Sequence, residues 1–166
     1  APRLDPLALV PGTVAQVGGE AARVACVDDY PPVCDALRRG LDPRRFIFSG
    51  AVSEVASLDW LLERVRPAIL LLDLDMPGGE RPLSWLARSA SRYPETRVVA
   101  YTAHVGRDLV DEAVGAGAWG YIVKSDDPEL LSDMLERMLE GEMVFSRSAG
   151  VLGYFVGILS LRLKGH

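Results

Sequence analysis

The stretch Ala68-Ile69-Leu70-Leu71-Leu72-Asp73-Leu74-Asp75-Met76-Pro77 decides how this chain is read. Its apolar half offers no polar residue to solvent, as a strand buried on both faces of a parallel sheet requires, and it then breaks into two carboxylates and a proline. Four similar runs rich in Val, Ile and Leu flank it: Arg23 to Val27, Phe46 to Ala51, Arg97 to Thr102 and Ala118 to Lys124. The third and fourth of the five runs are the least interrupted and are expected to be the central strands.

Between the runs, apolar residues recur three or four apart, the spacing that lines one face of a helix. They are Val33, Leu37 and Leu41; then Val55, Leu58, Leu61, Leu62 and Val65; then Leu109, Val110, Ala113 and Val114. A helix from about Asp127 to Gly141 carries an inward stripe of Leu130, Leu131, Met134, Leu135, Met138 and Leu139, with Pro128 near its start and Gly141 at its stop. A shorter helix, Leu83 to Ser91, fits between the third and fourth strands, and Pro82 can only begin it. Strand and helix in alternation predict an α/β fold with an open, doubly wound sheet, whose ligands bind beyond the carboxyl ends of the strands.

Composition narrows the class. Of the 166 residues, 49% are hydrophobic and 25% charged, which excludes a disordered chain, a collagen repeat or a coiled-coil rod. With 18 basic and 23 acidic side chains the net charge is −5, so direct binding of nucleic acid by this chain is not expected. Cys26 and Cys34 are too few for a disulfide framework and, with only His104 and His166 beside them, make no zinc spacing, so a reducing cytoplasm is expected. Residues 1–22 have no basic start followed by an apolar stretch and read as a flexible arm rather than a secretory signal.

The strand ends carry the chemistry. Asp28-Asp29 follow the first run, Asp73 and Asp75 the third, Thr102 ends the fourth, and Lys124, preceded by Tyr121, ends the fifth. Taken singly each has a bland explanation: Asp29 as a helix cap, Thr102 as a strand former, Lys124 as a solvated tip, Tyr121 and Trp119 as packing. Gathered on one rim, the carboxylates would repel one another unless a cation neutralised them. Oxygen ligands suit Mg²⁺, and a hydroxyl and an ammonium beside them suit a phosphoryl group.

These segments, together with Val98-Val99-Ala100-Tyr101-Thr102-Ala103 and Gly117-Ala118-Trp119-Gly120-Tyr121-Ile122-Val123-Lys124, resemble the receiver domain of bacterial two-component response regulators over about Arg23 to Phe145. The resemblance implies a flavodoxin-like, five-stranded parallel sheet of order 2-1-3-4-5. It implies that Asp73 takes a phosphoryl group from a phosphohistidine on a sensor histidine kinase or phosphotransfer protein. Mg²⁺ would be held by Asp28, Asp29, Asp73 and the backbone carbonyl of Asp75. Lys124 would pair with the phosphoryl oxygens, and Thr102 would bond the phosphoryl group and make room for Tyr121 to turn inward as a switch. The only reactions implied are self-phosphorylation and self-dephosphorylation.

The sequence departs from the family in two places. Gly78-Gly79-Glu80-Arg81-Pro82 replaces the usual acidic residue and glycine ahead of the third helix, and Ser125 replaces the commoner proline after Lys124, so no cis peptide is expected there. The Ser form resembles regulators that carry a helix-turn-helix output domain. The stretch after Gly141 is too short for three DNA-reading helices of about 11 residues each, so such a domain is not expected in this chain.

Instead Leu152, Phe155, Val156, Leu159 and Leu163 suggest an extra C-terminal apolar helix within residues 146–166, used for packing or for a homodimer. The fourth and fifth receiver helices are the other dimer surface expected. The apolar stretch is shorter than the roughly 20 residues of a membrane span, despite its Gly153-x-x-x-Gly157 pattern. Two alternatives remain: a haloacid-dehalogenase-like phosphatase using Asp73 and Asp75, against which the early position of Asp28-Asp29 argues, and a receiver-like module that binds partners regardless of phosphate.

Overall fold

The structure is a computed structural model and describes residues 19–104, 106–125 and 127–149. Its strands are β1 (Ala22–Val27), β2 (Phe46–Val52), β3 (Ile69–Leu72), β4 (Arg97–Thr102), β5 (Gly120–Val123) and β6 (Val144–Phe145). The helices are α1 (Pro31–Gly40), α2 (Leu58–Val65, entered through a 3-10 turn at Val55–Ser57), α3 (Pro82–Ser89), α4 (Arg107–Ala116) and α5 (Pro128–Leu139). All neighbouring strands pair parallel, in the order β2-β1-β3-β4-β5-β6. The predicted order of the first five is therefore observed.

Alternation along the strands divides the core into two layers. Ala25, Val27, Leu70, Leu72, Val98, Ala100, Tyr121 and Val123 face one side, where α2, α3 and α4 supply Leu61, Leu62, Trp85, Leu86, Val110 and Ala113. Val24, Cys26, Ile69, Leu71, Val99 and Ile122 face the other, covered by Cys34 and Leu37 of α1 and by Leu131, Leu135 and Met138 of α5. All four residues of β3 are fully buried. Each such leucine contributes roughly 1.5–3 kcal/mol by leaving water, which is why an unbroken apolar run belongs at the centre of the sheet.

Two expectations are corrected. The sheet has six strands rather than five: Val144 donates its amide to the carbonyl of Trp119 at 3.1 Å and Ser146 to that of Tyr121 at 2.9 Å, so the chain leaving α5 adds a short parallel edge. Gly120 permits it, since a Cβ there would stand 1.9 Å from the Val144 carbonyl oxygen. A two-residue strand carries no readable periodicity. Second, Leu130 lies outside the buried stripe of α5 and is 53% exposed. It sits one helical step from Leu131, and the face that meets the sheet is Leu131, Leu135 and Met138. The bland alternative for Asp29, a helix cap, is not what the structure shows, since α1 starts after Tyr30 with no side-chain cap and with proline in its first turn.

α3 begins at Pro82, as proline demands, and the preceding Gly78 and Gly79 turn through φ of 69° and 63°, left-handed values that side-chained residues adopt poorly. No cis peptide bond occurs among the described residues. The extra helix expected within residues 146–166 lies outside the described residues from 150 onward, as does the arm expected over 1–22 up to residue 18. Among the described residues no helix is long and apolar enough to cross a membrane.

Candidate functional site

Register brings the strand ends together. Val27 pairs with Leu72, Leu72 with Ala100 and Thr102 with Val123, so the residues that follow all emerge at one edge. Backbone bonds continue past the strands: Asp28 donates to Val52 (3.1 Å), Asp73 to Val27 (3.2 Å) and Lys124 to Thr102 (2.8 Å). The carboxylates are thus fixed by main chain before any side-chain contact is made.

Asp28, Asp29 and Asp73 each offer a carboxylate oxygen, and these atoms all lie within 4.8 Å of one another. Asp28 and Asp73 are buried, while Asp29 is exposed. The Lys124 ammonium donates to Asp28 Oδ2 and stands 3.4 Å from Asp73 Oδ2. Asp28 Oδ1 accepts the amide of Tyr30 at 2.9 Å, and Asp73 Oδ1 accepts that of Asp75 at 3.1 Å. The Asp75 carboxylate is outside the cluster, exposed, with Oδ2 3.0 Å from His104 Nε2, so a part in metal binding would fall to its backbone carbonyl.

Electrostatics follow from this packing. Burial pushes the Asp73 carboxyl above the ordinary aspartate range, and the Asp28 charge adds to that, against the downward pull of the Asp75 amide and Lys124. Burial works against the Lys124 ammonium as well, but its bond to Asp28 and the charges of Asp73 and Asp28 outweigh it and hold the pKa above the usual lysine value. A buried acid is kept close to a second acid and to a cation. Closely spaced carboxylate oxygens are the donor type that hard cations take.

Thr102 is fully buried at the end of β4, and its hydroxyl accepts the His104 amide at 3.3 Å. Tyr121 is also fully buried, so the inward position is the one present, and its hydroxyl donates to the His104 carbonyl at 2.6 Å. His104 therefore touches Thr102, Tyr121 and Asp75 at once. In the sequence its one signal is position, two residues after Thr102 as Asp75 is two after Asp73.

The fold and this rim define a doubly wound α/β protein with an acidic pocket at the carboxyl edge of its sheet. Residues 24–136 match the family model of the response regulator receiver domain, and the chain belongs to that family, a signalling domain of two-component systems. It is 30% identical over 127 residues to the uncharacterized transcriptional regulatory protein YxjL of Bacillus subtilis, covering 74% of this chain and 56% of that protein. It is 28% identical over 131 residues to the nitrate/nitrite response regulator protein NarL of Escherichia coli, covering 78% and 60% respectively. The crystal structure of a LuxR-family two-component response regulator from Aurantimonas sp. SI85-9A1 superposes with a TM-score of 0.72 at 26% identity, covering 86% of this chain and 99% of that one.

The chain thus spans rather more than half the length of these curated relatives. Since the first is named as a transcriptional regulator, the expectation that nucleic acid is not contacted gains no support from the comparisons.

Proposed function

We propose that the protein accepts a phosphoryl group on Asp73 from the phosphohistidine of a sensor histidine kinase or phosphotransfer protein and uses it to switch a protein-interaction surface. The observation that carries this reading is the convergence of Asp28, Asp29, Asp73 and Lys124 in one pocket. Asp28, Asp29 and Asp73, with the Asp75 carbonyl, are the residues that would hold Mg²⁺. When bound, the ion supplies charge neutralisation for the incoming phosphoryl oxygens.

The chain's own residues do the rest. An Asp73 carboxylate oxygen attacks phosphorus; the bond from phosphorus to the donor imidazole nitrogen breaks, and its electron pair leaves with the imidazole. The amide of Asp75 on the other Asp73 oxygen fixes the direction of attack. Lys124, already turned to this pocket, neutralises charge on the transferred group. The Thr102 hydroxyl, whose oxygen accepts the His104 amide, donates its proton to a phosphoryl oxygen. Because Tyr121 holds His104 through its carbonyl, a displacement of Thr102 toward the phosphoryl group is felt along the segment leading into α4 and at β5.

In this reading residues 23–145 are the receiver. The protein works in the cytoplasm and turns over no substrate but its own acyl phosphate. Homodimers form through the C-terminal segment or through α4 and α5, and the exposed Leu130 supports the latter face.

Titration with beryllium trifluoride in the presence of Mg²⁺, followed by amide NMR, tests the site. Saturable shifts at Asp73, Thr102, His104 and Lys124 that vanish when Mg²⁺ is withheld are expected. Unchanged spectra at saturating reagent would overturn the proposal.

A further inference from the structure

Cys26 and Cys34 do no work in the phosphoacceptor reading, and both are free thiols. Cys26 sits within the sheet, paired with Ala51 of β2 and Leu71 of β3, and precedes Asp28 by two residues. Cys34 lies in the first half of α1 and packs in the same apolar layer. The loop Asp28-Asp29-Tyr30 returns the chain from β1 to α1, and the return brings the two sulfurs into contact: the Cys26 thiol donates a hydrogen bond to the Cys34 sulfur. A single cysteine in such a layer is packing; two that touch, in a chain with no others, can share an oxidation.

Their surroundings give the two different roles. Cys34 keeps 7% of its surface exposed and Cys26 none, so a small oxidant meets Cys34 first. The bond from Cys26 draws the Cys34 thiol below its ordinary range, with Arg38 acting in the same sense and burial, Asp28 and Asp35 opposing. The same bond and burial push the Cys26 thiol well up. Cys34 is therefore the better thiolate, and Cys26 the partner that keeps its proton.

We infer that Cys26 and Cys34 form a redox-modification site at which a hydroperoxide converts the dithiol into a disulfide within one chain. The Cys34 thiolate attacks a peroxide oxygen; an S–O bond forms, the O–O bond breaks, and the departing oxygen takes a proton to leave as water or alcohol. The Cys26 sulfur then attacks the Cys34 sulfur; the S–S bond forms, the S–O bond breaks, and hydroxide leaves with the Cys26 proton as water. The thiols give up two electrons and the hydroperoxide takes them. The bridge closes residues 26–34, which carry Asp28 and Asp29, into a ring. A reducing compartment returns such a pair to thiols, so the bridge is a transient mark rather than a staple of the fold. The site needs no phosphoryl group on Asp73 and stands apart from the proposed function.

The test treats the full chain with hydrogen peroxide, denatures it in iodoacetamide and reads intact mass and peptides. Both alkylation sites should be lost together, the peptides of Cys26 and Cys34 should be joined within a monomeric chain, and dithiothreitol should restore both sites. Cys26→Ala should stop at a sulfenic acid on Cys34 that dimedone traps, and Cys34→Ala should leave Cys26 alkylatable. The peptide map of the parent protein decides the matter if either variant fails to fold.

Two alkylatable thiols after peroxide that has consumed free cysteine in the same buffer would overturn the inference. So would a disulfide joining two chains, or oxidation of Cys34 that leaves Cys26 alkylatable.

Discussion

Asp73 shows at the scale of single residues how a site can be costly to the fold that holds it. Its carboxylate is buried beside Asp28 and is offset only in part by Lys124, which serves both acids. Asp73→Asn should therefore raise stability in Mg²⁺-free buffer by about 1 kcal/mol, since it removes a repelled, desolvated charge but keeps an acceptor for the Asp75 amide. Lys124→Met should do the opposite and cost about 3 kcal/mol, because two acids are left without their cation. Mg²⁺ should restore part of that loss, and in the parent protein should add about 2.7 kcal/mol at a concentration of 100 Kd. Urea unfolding of the three proteins with and without Mg²⁺ checks the set; equal responses to Mg²⁺ would contradict it. These acids were legible from sequence because each directly follows a strand, and strand ends in such a sheet share an edge. His104 was not legible, since two of its three contacts are made by its backbone amide and carbonyl, groups every residue has.

Elements show the same division between pattern and contact. Five strands and five helices could be read because their apolar residues repeat with a period the backbone imposes. β6 could not, since what makes it a strand is the space left by Gly120 and the bonds it gives and receives. Ser146 just after it accepts the buried amide of Val123 at 2.8 Å through its hydroxyl, a contact that spans the β5 to β6 seam. Ser146→Ala leaves that amide without a partner and should cost about 1–3 kcal/mol. Gly120→Ala should cost at least as much and detach β6, seen as faster hydrogen exchange at the Val144 and Ser146 amides with β1 and β3 unaffected. Slow exchange at both amides in Gly120→Ala would show that the edge does not depend on the glycine. The exposure of Leu130 has a related cause: a stripe of six apolar residues on α5 is wider than the face the sheet can cover, and sequence alone does not say which edge stays uncovered.

For the whole molecule, two apolar layers hold the sheet while its carboxyl edge is left polar and its opposite end partly hollow. Burial raises the Tyr101 hydroxyl to about 12, and burial with the Asp59 contact does the same for Tyr93. An ordinary tyrosine titrates near about 10. Because the folded pKa is the higher one, these groups contribute stability fully below about pH 10 and lose it as the pH climbs through about 12. Tyrosinate absorbance should show at least two phenols ionising late, with the urea midpoint falling over the same range; a single titration near pH 10 would contradict this. The account's central claim concerns Asp73. Incubation with acetyl phosphate and Mg²⁺, followed by intact-mass and peptide mass spectrometry, should find one hydroxylamine-labile phosphoryl group on Asp73 and none on the Asp73→Asn variant. A label on another residue, or undiminished labelling of Asp73→Asn, would contradict the assignment.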